Sequence, residues 1–116
     1  MTALRRIVVL ALLAAVAPPS AAFAAAQERA CEPVRNPYPG TRYEGVDLTA
    51  IRTVEASCKT ARRVARKAHR KALALPPSAD GIRRFTWNGW RVKGDLRPAK
   101  DKYVARKGTR RVRWRF

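Results

Sequence analysis

The chain has 116 residues, with 26 Lys and Arg against 8 Asp and Glu, which gives a formal net charge of +18. We expect a chain of this length to form one small domain and no more. The sequence has no cluster of His, Cys and carboxylate residues of the kind that metal sites require, whereas the excess of positive charge indicates an anionic partner.

Residues 1–26 are predicted to be a secretory signal peptide. Arg5 and Arg6 precede an apolar segment, Ile7–Ala17, and small residues follow, so that cleavage is expected after Ala24 or Ala26. The apolar segment has about half of the roughly 20 residues that span a bilayer. We therefore expect a secreted or extracellular protein, or a periplasmic one if the source has an outer membrane.

The predicted mature chain is divided sharply by charge. Residues 27–56 carry four Arg and five acidic residues, net −1, whereas residues 57–116 carry twenty basic and three acidic residues, net +17. Such an asymmetry is typical of an electrostatic binding surface in the second part. A general role of the charge in solubility is the alternative.

Residues 27–46 are predicted to form a Pro-rich N-terminal arm. Three Pro and one Gly between Glu32 and Gly40 disfavour a helix or a central strand, so this segment is expected to run extended over the domain surface. The following segment is ambiguous. Leu48–Val54 suits a short strand, which we favour, but a helical 3-4 spacing also permits one continuous helix over Asp47–Leu75.

An amphipathic helix is predicted over Ser57–Leu75, with Ser57 as its N-cap and Pro76–Pro77 as its end. Small residues line one side and basic residues the other. The apolar stripe comprises Cys58, Ala61, Val64, Ala65, Ala68, Ala72 and Leu75. His69, beside two basic residues, is interpreted as a surface residue.

The last third of the chain predicts an antiparallel meander. Asn88–Gly89 between alternating apolar residues indicates a two-residue hairpin turn, with Trp87 opposite Trp90. Further turns are predicted at Pro98–Ala99 and at Lys107–Gly108. The expected pairs beyond the first hairpin are Val92 with Ala105, Gly94 with Tyr103, Tyr103 with Val112, and Ala105 with Arg110.

These registers separate apolar and basic side chains onto opposite faces. The apolar face collects Phe85, Trp87, Trp90, Val92, Tyr103, Ala105, Val112, Trp114 and Phe116. The other face collects the candidate anion-binding residues Arg84, Arg91, Lys93, Lys102, Arg106, Arg111, Arg113 and Arg115. Arginine suits such a role because its planar fork matches phosphate and carboxylate groups.

Cys31 and Cys58 are predicted to form one disulfide bond, because an even number of cysteines in a small exported domain is typical of a disulfide. A free or intermolecular thiol is the alternative. No constellation of nucleophile, acid and base is found, and Asp80, Asp95 and Asp101 stand beside turn signals. We therefore expect no enzyme, no cofactor, no metal site and no small-molecule substrate.

The segment Ala56–Ala65 resembles a group of small secreted proteins of unknown function that is common in actinobacteria and their relatives. In that group a Ser-Cys pair opens a helix, as Ser57–Cys58 does here. A Gly-aromatic-x-Cys strand and a later Cys-x-x-Gly follow, and here Val92 and Ala105 stand in place of that second cysteine pair. The resemblance covers roughly residues 48–116 and brings no catalytic residue.

The sequence thus predicts an α+β domain, residues 47–116, with one amphipathic helix packed on a small three- to four-stranded antiparallel meander sheet. Its expected function is non-enzymatic binding of anionic polymers or cell-envelope surfaces, with non-specific nucleic acid binding included. The alternatives are a membrane-active cationic protein and a structural or partner-binding extracellular protein.

Overall fold

The structure, a computed structural model, describes residues 27–116; the predicted signal peptide lies outside them. One helix covers one face of a six-stranded antiparallel sheet, whose strand order is β1-β2-β6-β5-β4-β3. The elements in chain order are β1 (Arg29–Ala30), β2 (Thr49–Val54), α1 (Cys58–Leu73), β3 (Ile82–Trp87), β4 (Trp90–Asp95), β5 (Lys102–Lys107) and β6 (Arg110–Arg115).

The α+β class is confirmed, but the predicted number of three to four strands is wrong. Strands β3–β6 form the expected four-stranded meander, and two further strands extend it. Thr53 of β2 pairs with Val112 of β6, and Arg29 of β1 pairs with Thr53. These pairings join distant parts of the chain, so no local turn signal reveals them.

The first two predicted hairpin registers are confirmed. Trp87 lies opposite Trp90, and Val92 lies opposite Ala105. Asn88 and Gly89 have φ values of 46° and 77°, which a two-residue turn with positive φ at both central positions requires.

The predicted register of the last hairpin is wrong by two residues. Tyr103 lies opposite Trp114 instead of Val112, and Ala105 lies opposite Val112 instead of Arg110. The turn is centred on Gly108–Thr109, one residue later than expected. Because side chains alternate with a period of two, this shift leaves every β6 residue on its predicted face.

The ambiguous segment before the helix is a strand, as favoured from the sequence. In β2 the pairing register shifts between Thr49 and Arg52, and Ala50 has a positive φ of 50°. Glu55, with a φ of 55°, follows the end of the strand. Glu55 therefore separates β2 from α1, and the pairing of β2 with β6 excludes the continuous helix.

Helix α1 begins as predicted. The Ser57 hydroxyl accepts a hydrogen bond from the Thr60 amide at 3.1 Å, which satisfies one of the unpaired N–H groups of the first turn. The small residues of the stripe allow close approach to the sheet. The helix contacts β2, β6 and β3, and the buried core that it shares with the sheet comprises Leu48, Ile51, Ala61, Val64, Ala65, Ala68, Ala72, Trp90, Val92, Tyr103, Ala105, Val112 and Trp114.

The N-terminal arm is held against the sheet at several points. Cys31 forms a disulfide with Cys58, with a Cα–Cα distance of 5.4 Å, as predicted. Val34 forms a bridge with Leu48, and the side chain of Tyr38 is buried. The arm therefore contributes to the core instead of only crossing the surface.

Gly94 is the position at which the aromatic core tolerates no added side chain. Gly94 lies opposite Tyr103, and a Cβ placed on it would lie within 3.0 Å of several atoms of the Tyr103 ring. That ring is fully buried and stacks on Trp114, with a centroid distance of 5.3 Å. The ring has little space to move aside.

We expect Gly94→Ala to lower the free energy of unfolding by about 1 to 3 kcal/mol, the usual cost of overpacking a core. Urea unfolding followed by tryptophan fluorescence measures it. In a Tyr103→Ala background the same substitution should cost much less, because the obstructing ring is absent. Equal costs in both backgrounds would contradict a steric origin.

Candidate anion-binding face

The face of the sheet opposite α1, here called the open face, carries all eight candidate basic residues. They alternate along β3–β6 with residues that are buried or partly buried under the helix. On this face lie Arg84, Arg91, Lys93, Lys102, Arg106, Arg111, Arg113 and Arg115. The predicted segregation of basic and apolar side chains is thus confirmed.

Three arginines lie directly opposite one another across three neighbouring strands. Arg91 of β4 pairs with Arg106 of β5, which pairs with Arg111 of β6. We call these three residues the arginine row. Adjacent strands are about 4.8 Å apart, and like charges directly opposite each other destabilise a sheet.

A second line of positive charge runs parallel to the arginine row. Proceeding across the sheet from β3 to β2, it consists of Arg84, Lys93, Val104, Arg113 and Arg52. A further cross-strand pair, Lys102 with Arg115, adds two more cations, and Asp95 lies opposite Lys102. The open face is therefore a two-dimensional array of cations with Val104 as an apolar interruption.

Few carboxylates offset this array. Asp80 approaches Arg84 at 3.3 Å, and the Ile82 amide with Arg84 lowers the pKa of Asp80. Asp95 binds Arg97 through both carboxylate oxygens at 2.9 Å, which lowers the pKa of Asp95 to about 2. Among residues 27–116, no salt bridge involves Arg91, Lys93, Lys102, Arg106 or Arg115.

A third carboxylate reaches the open face, at the end near β2. Glu28 contacts Arg52, Arg111 and Arg113, which we call the arginine triad. The nearest Arg52 and Arg111 nitrogens lie 3.8 Å and 3.3 Å from its oxygens, and Arg113 donates a hydrogen bond. That hydrogen bond lowers the pKa of Glu28, against a smaller opposing effect of desolvation.

Arg52 and Glu28 were missed by the sequence-based prediction. Arg52 is an exposed residue of β2 and lies opposite Arg113 only because β2 pairs with β6. Glu28 reaches the triad because β1 adds to β2. The alternation of exposed Arg52 with buried Ile51 and Thr53 is a local signal, but it does not say which strand is the neighbour.

The interpretation of His69 as a surface residue is wrong. Its side chain is fully buried within the sheet-facing stripe of α1. The ring packs against Phe116 with a centroid distance of 4.2 Å and against Tyr103 at 5.0 Å. The only histidine is therefore part of the aromatic core.

A hydrogen bond of 2.5 Å joins the Tyr38 hydroxyl to Nδ1 of His69. Either the phenol donates to Nδ1 or, in the other ring tautomer, Nδ1–H donates to the phenol oxygen, and Nε2 has no hydrogen-bond partner among the described residues. Burial lowers the pKa of His69 to about 3, and the charge of Arg83 acts in the same direction. Burial also raises the pKa of Tyr38 to about 12. Both groups are neutral near pH 7, and neither contacts the open face.

A groove of about 940 Å³ runs between the arm and the start of α1. The disulfide Cys31–Cys58 and Val34 contribute apolar surface, and four cations from the helix line its other side. Arg62 donates a hydrogen bond to the Pro33 carbonyl at 3.3 Å, so the groove is partly held by its own side chains. It lies away from the open face.

Within residues 27–116 no three His, Cys, Asp or Glu side chains are grouped so that they could hold a metal ion. No helix of that range is long and apolar enough to cross a membrane. Comparisons of the chain with protein-family models, with curated proteins and with solved structures found no match. Fold and surface together define a small disulfide-linked α+β protein with a cationic sheet face.

Proposed function

We propose that this protein is a secreted, non-enzymatic cationic domain that binds anionic polymers or anionic cell-envelope surfaces through its open face. The arginine row carries the proposal. Three guanidinium groups lie in register on an uncovered sheet face, and two of them, Arg91 and Arg106, have no salt bridge among the described residues.

This arrangement costs stability unless something offsets the repulsion. Directly opposite like charges destabilise a sheet, and residues that only provided solubility would not need to be aligned. An anion placed over the row removes the repulsion and gains charge-assisted hydrogen bonds from planar guanidinium groups. A repeating polymer suits an array of this kind because it presents anions at several places.

The burial of the helix stripe favours this function over a membrane-active one. Ala61, Val64 and Ala65 are fully buried against the sheet, so the stripe is not available to insert among lipid chains. The exposed side of α1 presents mainly basic residues. Electrostatic contact with an anionic surface remains compatible with this helix.

Binding should therefore depend strongly on salt. We expect the purified, oxidised protein to bind heparin, duplex DNA or a polyglycerol phosphate, with affinity falling by about 10³ to 10⁵ between about 50 and 200 mM salt if six to ten phosphates are engaged. Fluorescence anisotropy or calorimetry at the two ionic strengths measures this. Binding that is absent, or independent of salt, would overturn the proposed function.

Two double variants, one on the open face and one on the helix, test which surface binds the polyanion. Arg91→Gln with Arg106→Gln removes two charges from the arginine row and should reduce the magnitude of the salt slope by about 2. Lys67→Gln with Arg70→Gln removes two charges from exposed helix positions and should have a much smaller effect. Equal effects of the two pairs would show that net charge, and not the open face, determines binding.

A further inference from the structure

The contact between Glu28 and the arginine triad shows how this end of the open face holds an anion. Three cations converge on a single carboxylate that supplies one negative charge. The side chain of Glu28 is 23% exposed, and those of Arg52 and Arg113 are 48% and 47% exposed. The site is thus open to solvent, and its own carboxylate leaves two positive charges uncompensated.

The two oxygens of Glu28 do not satisfy three guanidinium groups equally. Arg113 and Arg52 both approach Oε1, but Arg52 remains at 3.8 Å, beyond hydrogen-bond distance. Arg111 approaches Oε2 at 3.3 Å, which is long for a charge-assisted bond. A group with one more terminal oxygen could give each guanidinium an acceptor of its own.

The charge and the number of terminal oxygens of an anionic group determine how well it fits the arginine triad. A phosphomonoester has three terminal oxygens and a charge near −2 at neutral pH. A phosphodiester or a carboxylate offers only two terminal oxygens and one charge. The triad, with a charge of +3, therefore matches a phosphomonoester better than it matches the Glu28 carboxylate that now occupies it.

We propose that Arg52, Arg111 and Arg113 form a subsite for a phosphomonoester group, such as a terminal or side-chain phosphate of a polymer, and that Glu28 occupies this subsite until the phosphate displaces it. This rests on the proposed function in that it assigns one group of the polymer to one place on the open face. The triad adjoins the arginine row, because Arg111 belongs to both.

The displacement requires little rearrangement. β1 contains only two residues, and Cys31 directly after it is fixed by the disulfide and by a hydrogen bond from its amide to the Ile51 carbonyl at 2.8 Å. Only the segment before Cys31, residues 27–30, needs to move. The rest of the sheet stays paired when Glu28 leaves.

The test is a titration of Glu28→Gln with inorganic phosphate at about pH 7.5, where the dianion predominates, monitored by NMR of the arginine Nε–Hε groups. We expect saturable shifts at Arg52, Arg111 and Arg113. Phosphate should bind this variant about tenfold more tightly than it binds the wild-type protein, because it no longer competes with an internal carboxylate. Dimethyl phosphate and acetate at the same ionic strength should bind at least about tenfold more weakly than phosphate.

Glu32→Gln is the matched control. Glu32 is exposed, lies four residues further along the arm and forms no salt bridge within the described part of the chain. The substitution makes the same change of charge, so it should leave phosphate affinity close to that of the wild-type protein. Equal gains in the two variants would assign the effect to net charge and overturn the subsite.

The outcomes separate the two proposals. If polymers bind with the expected salt dependence but phosphate causes no shifts at the triad, the subsite is wrong and the proposed function stands. If phosphate binds at the triad but no polymer binds, the proposed function fails and the subsite stands. Equal affinity for phosphate, dimethyl phosphate and acetate would exclude a selective phosphomonoester site.

Discussion

Acidification from about pH 7 to about pH 4 is expected to remove about 3 kcal/mol of the stability of this protein through His69 alone. Burial lowers the pKa of His69 to about 3 in the folded protein, whereas an unfolded chain has a histidine pKa near 6.5. The ring is fully buried, so solvent does not weaken this effect.

Stability falls with falling pH because the unfolded chain takes up a proton that the folded protein does not. Between about pH 6.5 and pH 3 the unfolded chain binds a proton at His69 that the folded protein does not bind, so falling pH favours unfolding. The contribution is fully present above the unfolded pKa and is lost at about 1.4 kcal/mol per pH unit below it. Glu28, Asp80 and Asp95, whose pKa values are also lowered, add to acid destabilisation at lower pH.

His69→Asn isolates the histidine from those carboxylates. The Asn oxygen retains an acceptor near the position of Nδ1 for the Tyr38 hydroxyl, but the side chain does not titrate. Urea unfolding of both proteins at several pH values gives the difference in their free energies of unfolding. That difference should shrink by about 3 kcal/mol between about pH 7 and pH 4. A difference that does not change with pH would contradict a buried, neutral His69.

Removal of the Cys31–Cys58 disulfide is expected to cost about 3 to 4 kcal/mol. The two cysteines are 27 positions apart, and a cross-link over a loop of this length restricts the unfolded chain by about that amount. The bond joins the arm, which carries Glu28 and Tyr38, to the start of α1. A domain of this size has a small core, so the loss is a large share of its total stability.

The double variant Cys31→Ser with Cys58→Ser tests this expectation by chemical unfolding. The wild-type protein unfolded in the presence of a reductant serves as the control and should lose a similar amount. Because the bond acts mainly on the unfolded state, the folded variant should still bind a polyanion with an unchanged salt slope. A loss below about 1 kcal/mol would contradict the expected role of the cross-link.

The hairpins could be predicted because their signals are local. Asn88–Gly89 specifies both the turn and the register, and the alternation of aromatic and basic residues specifies the faces. At the last turn, Gly108 is the only turn signal, and it does not specify whether the turn is centred on residues 107–108 or 108–109. The observed turn is the second of these, so the pairing register differs from the predicted one by two residues. The faces remained correct because a shift of two residues preserves the alternation.

The parts of the fold and site that the sequence did not predict depend on contacts between distant segments. The pairing of β2 with β6 places Arg52 beside Arg113 and creates the triad, but nothing near Arg52 specifies its neighbour. The addition of β1 likewise brings Glu28 onto the open face. Glu28 lies at the N-terminal end of the arm, and two of its partners, Arg111 and Arg113, lie 83 and 85 positions later in the chain. No residue near Glu28 in the sequence indicates such a contact.

The error at His69 had a different origin. His69 lies four residues after Ala65 and three before Ala72, which is the spacing of a residue on the buried stripe. The neighbouring Arg70 and Lys71 suggested a solvated position instead. The 3-4 spacing was the signal for a buried position, and the polarity of the adjacent residues was misleading.

Because β2 pairs with β6, the first two strands have no place in the sheet until β6 has been synthesised. Helix α1 and the meander β3–β6 consist of sequential neighbours, whose contacts form faster than those that close a long loop. We therefore expect the N-terminal segment to dock last. On that expectation, the cationic surface exists for a time during assembly without Glu28, and incompletely folded molecules then have the highest affinity for polyanions.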